Sequence, residues 1–215
     1  NQTELGAACA SKTRVTVGGA TTPSKINNID YFTIATTGNA TDFGDRTVAL
    51  NGPGALASNV RGVFLGGGSP SPQSDVMDYI TIATTGNATD FGNLSVDSKN
   101  ACGLASPTRG VIAMGGDPLT NTIDYITIAS AGNASDFGDL NLYYAQVSTL
   151  ASSTRGVISG GSGPTAPTGT ANIDYTTISS QGGVASFGTL TCGKRTAQAP
   201  MSDGVRGLFA GGYGG

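Results

Sequence analysis

One phrase occurs four times in this chain, and its spacing constrains the fold more than composition does. It opens on Ile29-Asp30-Tyr31 and closes on Phe43-Gly44; Met77 to Gly92, Ile123 to Gly138 and Ile173 to Gly188 are close copies. The Asp-Tyr pairs begin at 30, 78, 124 and 174, so the steps are 48, 46 and 50 residues. A second phrase interleaves with the first: Arg61 to Gly67, Arg109 to Gly116, Arg155 to Gly161 and Arg206 to Gly212, with a degenerate copy at Arg14 to Gly19. Self-similarity at a fixed period of this length means an array of one small unit, each copy burying its apolar face against the next.

The unit over 145–191 shows what is repeated. Ala145 to Ser152 is a short apolar and hydroxyl stretch, and Arg155 to Gly161 is a β-branched run closed by a glycine pair. A Pro- and Thr-rich loop follows, then Ile173 to Ile178, a glycine turn, and Phe187 to Leu190. Four short runs of high β propensity, with no ten-residue helical period, predict an antiparallel four-stranded meander and an all-β fold. Repeated about an axis, such a meander is a propeller blade. Glycine makes up 34 of 215 residues and charged residues only 12%. That composition is compatible with disorder, but these glycines recur in register between β-branched and aromatic runs, as strand ends and turns do.

Strand 1–2 pairs occur five times and strand 3–4 pairs four times. The expected organisation is one domain over 1–215, with blade units at about 3–48, 52–96, 100–142 and 145–191 and a half blade at 197–212. A half blade leaves an open sheet edge, which proteins normally cover. Three explanations stand: a ring that tolerates a thin fifth blade, strands supplied by another chain, or a piece of a longer protein. A five-position ring is the favoured one.

A hydrophobic run ending in Gly-Gly, a variable loop, a strand with Tyr, and an aromatic about a dozen residues later resemble a kelch repeat. Kelch repeats usually place Trp at that last position. Here Phe43, Phe91, Phe137 and Phe187 occupy it, and the chain has no Trp. Phrases such as Thr108-Arg109-Gly110-Val111 and Ile123 to Ala129 are more similar to kelch-like arrays in structural proteins of marine and cyanobacterial bacteriophages. The resemblance spans roughly residues 3 to 212. It implies a kelch-like β-propeller of four full blades plus half of a fifth.

Chemistry is thinly represented. The chain has no histidine, which removes the commonest general base and metal ligand, and its lysines recur at no repeat position. The expectation is no enzymatic activity, no cofactor and no metal. A net charge of −3 with few basic residues argues against nucleic acid. No run of 18 apolar residues is present, so no membrane insertion is expected. No signal peptide is visible, and a start at Asn1 is compatible with a removed leader. Cys9, Cys102 and Cys192 lack a paired spacing and read as free, buried thiols, with Cys9 and Cys102 at similar points of two repeats.

Arg61, Arg109, Arg155 and Arg206 recur beside the turn between strands 1 and 2. They would either form a ring offered to an anionic ligand or clamp the blades through carboxylates or carbonyls. The clamp is favoured because the motif repeats with the fold. Its expected carboxylates are Asp42, Asp90 and Asp136, with Ser186 in the fourth copy. Asp30, Asp78, Asp124 and Asp174, expected near the opposite face, offer one carboxylate per blade, which favours bonding to nearby backbone N–H groups over binding calcium. Asn39, Asn87 and Asn133 fit a glycosylation acceptor pattern and also a turn. The loops over 20–28, 69–76, 117–122 and 162–172 differ most between units, as a recognition surface would.

These readings predict a non-enzymatic propeller of an extracellular phage virion. It would be a tail-fibre, appendage or decoration domain that contacts other virion proteins or a host-surface glycan or protein, with multiple copies or homo-oligomers raising avidity. A propeller lectin is the alternative, with Tyr143, Tyr144 or Tyr213 as aromatic platforms. An intracellular kelch-type scaffold is a third reading, opposed by the lack of an adaptor domain.

Overall fold

Each copy of the two phrases folds as four short strands. The computed structural model describes residues 6–21, 24–68, 73–115, 119–164, 167–191 and 198–212. The first unit contains β1 (Ala7–Ala10), β2 (Arg14–Thr21), β3 (Lys25–Thr33) and β4 (Thr41–Asp45); the second contains β5 (Gly54–Ala57), β6 (Arg61–Gly67), β7 (Ser74–Thr81) and β8 (Thr89–Asn93). The third is β9 (Cys102–Ala105), β10 (Arg109–Ala113), β11 (Thr122–Thr127) and β12 (Ser135–Asp139); the fourth is β13 (Ser148–Ala151), β14 (Arg155–Ser159), β15 (Asn172–Thr177) and β16 (Ala185–Thr189). A two-stranded fifth unit follows, β17 (Ala199–Ser202) and β18 (Gly207–Ala210). Every pairing is antiparallel between consecutive strands, so each sheet is a meander, and the all-β expectation holds. Two of the loops expected to vary are shorter than anticipated, because β2 and β3 pair out to Thr21 and Lys25 and β7 begins at Ser74. The rest of that variable sequence lies partly outside the described residues.

The sheets stand side by side in chain order. β1 lies beside β5, β5 beside β9, β9 beside β13 and β13 beside β17. No comparable contact among the described residues brings β17 or β18 back to β1, so the expected closed ring is not seen. The core is three clusters, each filling the space between two neighbouring units. Cys9, Ile29 and Phe43 of the first unit meet Phe64, Ile80 and Ile82 of the second. Leu56, Met77 and Phe91 meet Ile112, Ile126 and Ile128, and Leu104, Ile123 and Phe137 meet Ile158 and Ile178. A short sheet cannot bury both faces alone, so the stability of each unit depends on its neighbours.

A glycine in strand 2 sets how closely units approach. A Cβ at Gly110 would fall 2.6 Å from the Leu56 side chain, one at Gly156 2.6 Å from Leu104, and one at Gly207 2.6 Å from Leu150. At such distances the facing leucine would have to shift to admit a side chain, so the inner strands pack leucine closely against bare backbone. The fifth unit therefore docks on the fourth as the complete units dock on one another. The first unit departs: Val15 occupies the position held by Gly62, Gly110, Gly156 and Gly207.

Candidate functional site

The residues that recur most faithfully converge on the joints between units. At the turn before strand 2, Ser58 Oγ accepts from the N–H of Val60 (3.2 Å) and of Arg61 (3.0 Å). Ser11, Ser106 and Ser152 do the same before Arg14, Arg109 and Arg155. Asp203 takes this role before Arg206, with the carboxylate accepting from Val205 and Arg206; those bonds hold its pKa below the usual value. The turn delivers the arginine to the ring of its own unit's tyrosine. Arg14 lies over Tyr31 at 4.3 Å, Arg61 over Tyr79 at 4.0 Å, Arg109 over Tyr125 at 4.7 Å and Arg155 over Tyr175 at 4.7 Å. From there the guanidinium reaches the next unit. Arg14 Nη1 donates to the Ile82 carbonyl (2.9 Å), Arg61 Nη1 to Ile128 (2.8 Å), and Arg109 Nη1 to Ile178 (3.1 Å) and Ser179 (2.9 Å).

The phenylalanine of strand 4 completes the joint. The register of β7 with β8 skips Phe91: Met77 faces Gly92 while Asp78 faces Asp90. The same bulge occurs in the other three complete units. A bulge re-aims one side chain, here into the gap between units. Tyr79 meets Phe91 edge-on at 5.9 Å, and the other three units repeat the pair. The next unit then covers that strand with its Gly-Asn-Ala turn. Gly86 N–H donates to the Phe43 carbonyl and Ala88 N–H to Asp45, both at 2.8 Å, while Asn87 Oδ1 accepts from the Asp45 N–H at 3.0 Å. Gly132, Asn133 and Ala134 repeat this on Phe91 and Asn93. Gly182 and Val184 repeat the backbone bonds on Phe137 and Asp139.

The strand-3 aspartates hold the preceding unit's connection. Asp124 accepts from the Ser95 N–H and Oγ–H, both at 2.8 Å, and Asp174 from Asn141 Nδ2 at 3.4 Å. Burial pushes both carboxyl groups above the usual range, against the hydrogen bonds that lower them; for Asp124, neighbouring Asp136 adds to the rise. Asp78 instead meets Arg46, at 2.8 Å from Nη2 and 2.9 Å from Nε, and also accepts from Thr47 Oγ1. Both members of this ion pair are fully buried. Burial lowers the Arg46 pKa and the Asp78 charge opposes that.

The two ends of the array show what happens when a partner is missing. Phe187 is 56% exposed where Phe91 is 2%. Arg155 stacks on its tyrosine but donates to no carbonyl among the described residues. A Cβ at Gly44, Gly92 or Gly138 would strike the glycine turn of the next unit at 2.5 to 2.6 Å, whereas one at Gly188 meets nothing within 4 Å. A cleft of about 410 Å³ opens there, walled by Leu150, Arg155, Ile173, Phe187, Arg206 and Phe209. At the other end Ile34 is 54% exposed, while its counterparts Ile82, Ile128 and Ile178 are 1% exposed, and Asp30 is exposed with no donor shown.

The sequence-predicted residues divide accordingly. Arg61 and Arg109 form carbonyl clamps, the arrangement favoured from the sequence, while Arg155 and Arg206 are exposed. Their expected pairing with Asp42, Asp90 and Asp136 is not formed, because those aspartates stand opposite Asp30, Asp78 and Asp124 across the strand 3–4 register. The two sets of aspartates therefore lie together and not on opposite faces. Phe43, Phe91 and Phe137 are core residues and Phe187 is not. Tyr144 is buried in the third cluster and cannot act as a platform; Tyr143 is exposed, and Tyr213 lies outside the described residues. Cys9 and Cys102 are free, and burial pushes their thiols up to about 12. Cys9 aligns with Leu104, not with Cys102, and Cys192 lies outside the described residues. No cluster of metal-ligating residues occurs among the described residues. Two determinants were missed: the Ser-x-x-Arg turn, visible as a fixed spacing, and Arg46, which stands where later units have Leu94, Leu140 and Leu190; for Asn87 and Asn133 the turn was expected, but not their bonds to the preceding unit. No protein-family model matches the chain, and no curated protein is significantly similar to it.

Proposed function

We propose that the chain is a non-enzymatic structural or recognition module, a kelch-like propeller array serving in a phage virion as a tail-fibre, appendage or decoration domain. The observation that carries this reading is the use of the repeated polar residues. The arginine, the strand-3 aspartate and the turn asparagine reach neighbouring units, and the tyrosine seats its own unit's arginine, so repetition maintains joints and not a reacting centre. A rigid array held this way is suited to presenting its rim loops to a host surface or to other virion proteins. The virion setting is supported by the phage-like phrasing of Thr108 to Val111 and Ile123 to Ala129. Mass spectrometry of purified particles from the source virus tests it. Recovery of the chain in several copies per particle is expected, and its absence from intact particles overturns the virion reading.

One observation favours glycan binding as a second reading. Tyr143 is 54% exposed, and its backbone abuts Gly163, which lines an open groove of about 550 Å³ with Lys99, Asn100 and Ser162. An exposed tyrosine ring is a surface on which a sugar can stack, and the groove beside its backbone is lined by other residues. A glycan array decides: specific binding lost in Tyr143→Ala supports the lectin, and no binding to any glycan removes it.

A further inference from the structure

We propose that the groove between the first and second units, at the strand 1–2 turns, binds an acidic sugar through its carboxylate or sulfate group. The groove encloses about 420 Å³, within the range that small-molecule sites use. Two complete units wall it: the turn at 11–14 and Thr33 on one side, Asn59 and Ala83 on the other. β1 and β2, and β5 and β6, are joined here by their own turns, so the walls need no further strand. Ser11 Oγ accepts from the N–H groups of Thr13 (3.3 Å) and Arg14 (3.2 Å), which fixes the turn that carries Lys12. Arg14 is held by its stacking on Tyr31 and by the bond from Nη1 to the Ile82 carbonyl, so its guanidinium lines the groove in a set orientation. Its Nε and Nη2 donate to no acceptor among the described residues. Lys12 is exposed, and its ammonium forms neither an ion pair nor a hydrogen bond among the described residues. No carboxylate among those residues lines the groove to neutralise the two cations.

The rest of the lining selects the ligand class. Ser11, Thr13, Thr33 and Asn59 bring hydroxyls and an amide, which both donate to and accept from the hydroxyls of a sugar ring. Ala83 is the one apolar side chain in the lining, too small to anchor an apolar peptide residue. Two adjacent cations suit a single anionic group, while the net charge of −3 opposes a nucleic acid. Lys12 also sets this joint apart from the next two. At its turn position the later units carry Asn59, Pro107 and Ser153, so those joints keep the clamp arginine without a second cation. The inference depends neither on the virion reading nor on the groove beside Tyr143.

The probe is trigalacturonate, titrated into the isotope-labelled chain and followed by its amide resonances. Saturable shifts are expected at Lys12, Thr13 and Asn59. The fully methyl-esterified trisaccharide keeps the ring hydroxyls but loses the charge, and is expected to shift none of them. Galactose 6-sulfate, titrated in parallel, shows which anionic group the groove takes, and binding of either acid sustains the proposal. Lys12→Ala is expected to weaken binding about tenfold, as the loss of one charge-assisted hydrogen bond does, and Lys12→Arg to retain it. Asn59→Asp sets a carboxylate across the groove and is expected to weaken binding to a similar degree, while Tyr143→Ala leaves it unchanged. All three residues are exposed, so the circular dichroism of these variants is expected to match that of the parent chain. The proposal is overturned if neither acid shifts these resonances at millimolar concentration, if the methyl ester binds as tightly, or if Lys12→Ala binds undiminished. Inorganic sulfate that binds as tightly as the sugars also overturns it, leaving an adventitious ion only.

Discussion

The joint after the second unit and the open joint after the fourth are built from the same residue types with opposite outcomes. Phe91 and Phe187 follow the same Asp-or-Ser step, sit at the same bulge and meet a tyrosine edge-on, yet one is sealed and the other stands in solvent. Arg61 and Arg155 stack on equivalent tyrosines, yet only Arg61 closes a bond to a neighbouring carbonyl. A repeated residue therefore specifies half of a contact. The next unit supplies the other half, and with it most of the energy.

Truncating the phenylalanines breaks this comparison most severely. Phe91→Ala removes a fully buried aromatic and is expected to lower stability by about 3–5 kcal/mol. Phe187→Ala, on a half-exposed ring, is expected to cost about 1 kcal/mol or less. Urea unfolding followed by circular dichroism measures both, and equal losses would show that the fourth unit is covered in solution.

The first joint differs from the others in kind, and Arg46 tests why. Arg46→Leu restores the residue type of the later units but leaves Asp78 buried and uncompensated, at a cost of about 3–5 kcal/mol. Adding Asp78→Asn is expected to recover most of that loss. Recovery isolates the stranded charge as the cause; a double variant no more stable than Arg46→Leu would place the cost in packing instead.

Removing the clamp gives a smaller contrast. Arg61→Ala loses a charge-assisted hydrogen bond and the stacking on Tyr79, together about 2–3 kcal/mol. Arg155→Ala loses the stacking alone, about 0.5–1 kcal/mol. The difference between the two is the contribution of the neighbour's carbonyl, read from the same unfolding curves.

This contrast also explains what could be read from the sequence. The strands and their order were legible because β propensity and turn signals are local. The clamp was legible as the favoured reading, since a repeated arginine needs a repeated acceptor. Its acceptor was not: a backbone carbonyl leaves no trace in residue type, so Asp42, Asp90 and Asp136 drew attention instead. The bulge at Phe91 was hidden for a related reason, because it shifts Asp90 opposite Asp78 without changing any residue. Arg46 was overlooked because it occurs once, and its partner lies 32 residues away in the next unit. Tyr144 was misjudged because burial depends on the neighbouring strands, while its exposed neighbour Tyr143 has the same side chain.

The finest test compares Asp124 with its own neutral variant as pH changes. Burial raises the Asp124 pKa above the ordinary carboxylate value of 3.8, and Asp136 adds to the rise while the Ser95 bonds oppose it. The folded state therefore binds this proton more tightly than the unfolded chain does. The contribution of Asp124 to stability is greatest at low pH and falls as pH rises from about 3.8 through the raised native value, because unfolding then releases a carboxyl that ionises more readily in water. Asp124→Asn lacks this titration but loses one of the two bonds from Ser95, a constant offset. Relative to the wild-type chain, the variant should gain stability steadily across that window and hold a fixed difference above it. Urea unfolding at closely spaced pH values reads the slope. A difference that stays flat, or runs the other way, would mean that the Ser95 bonds outweigh burial and that the second joint carries its aspartate as a fully stabilised charge.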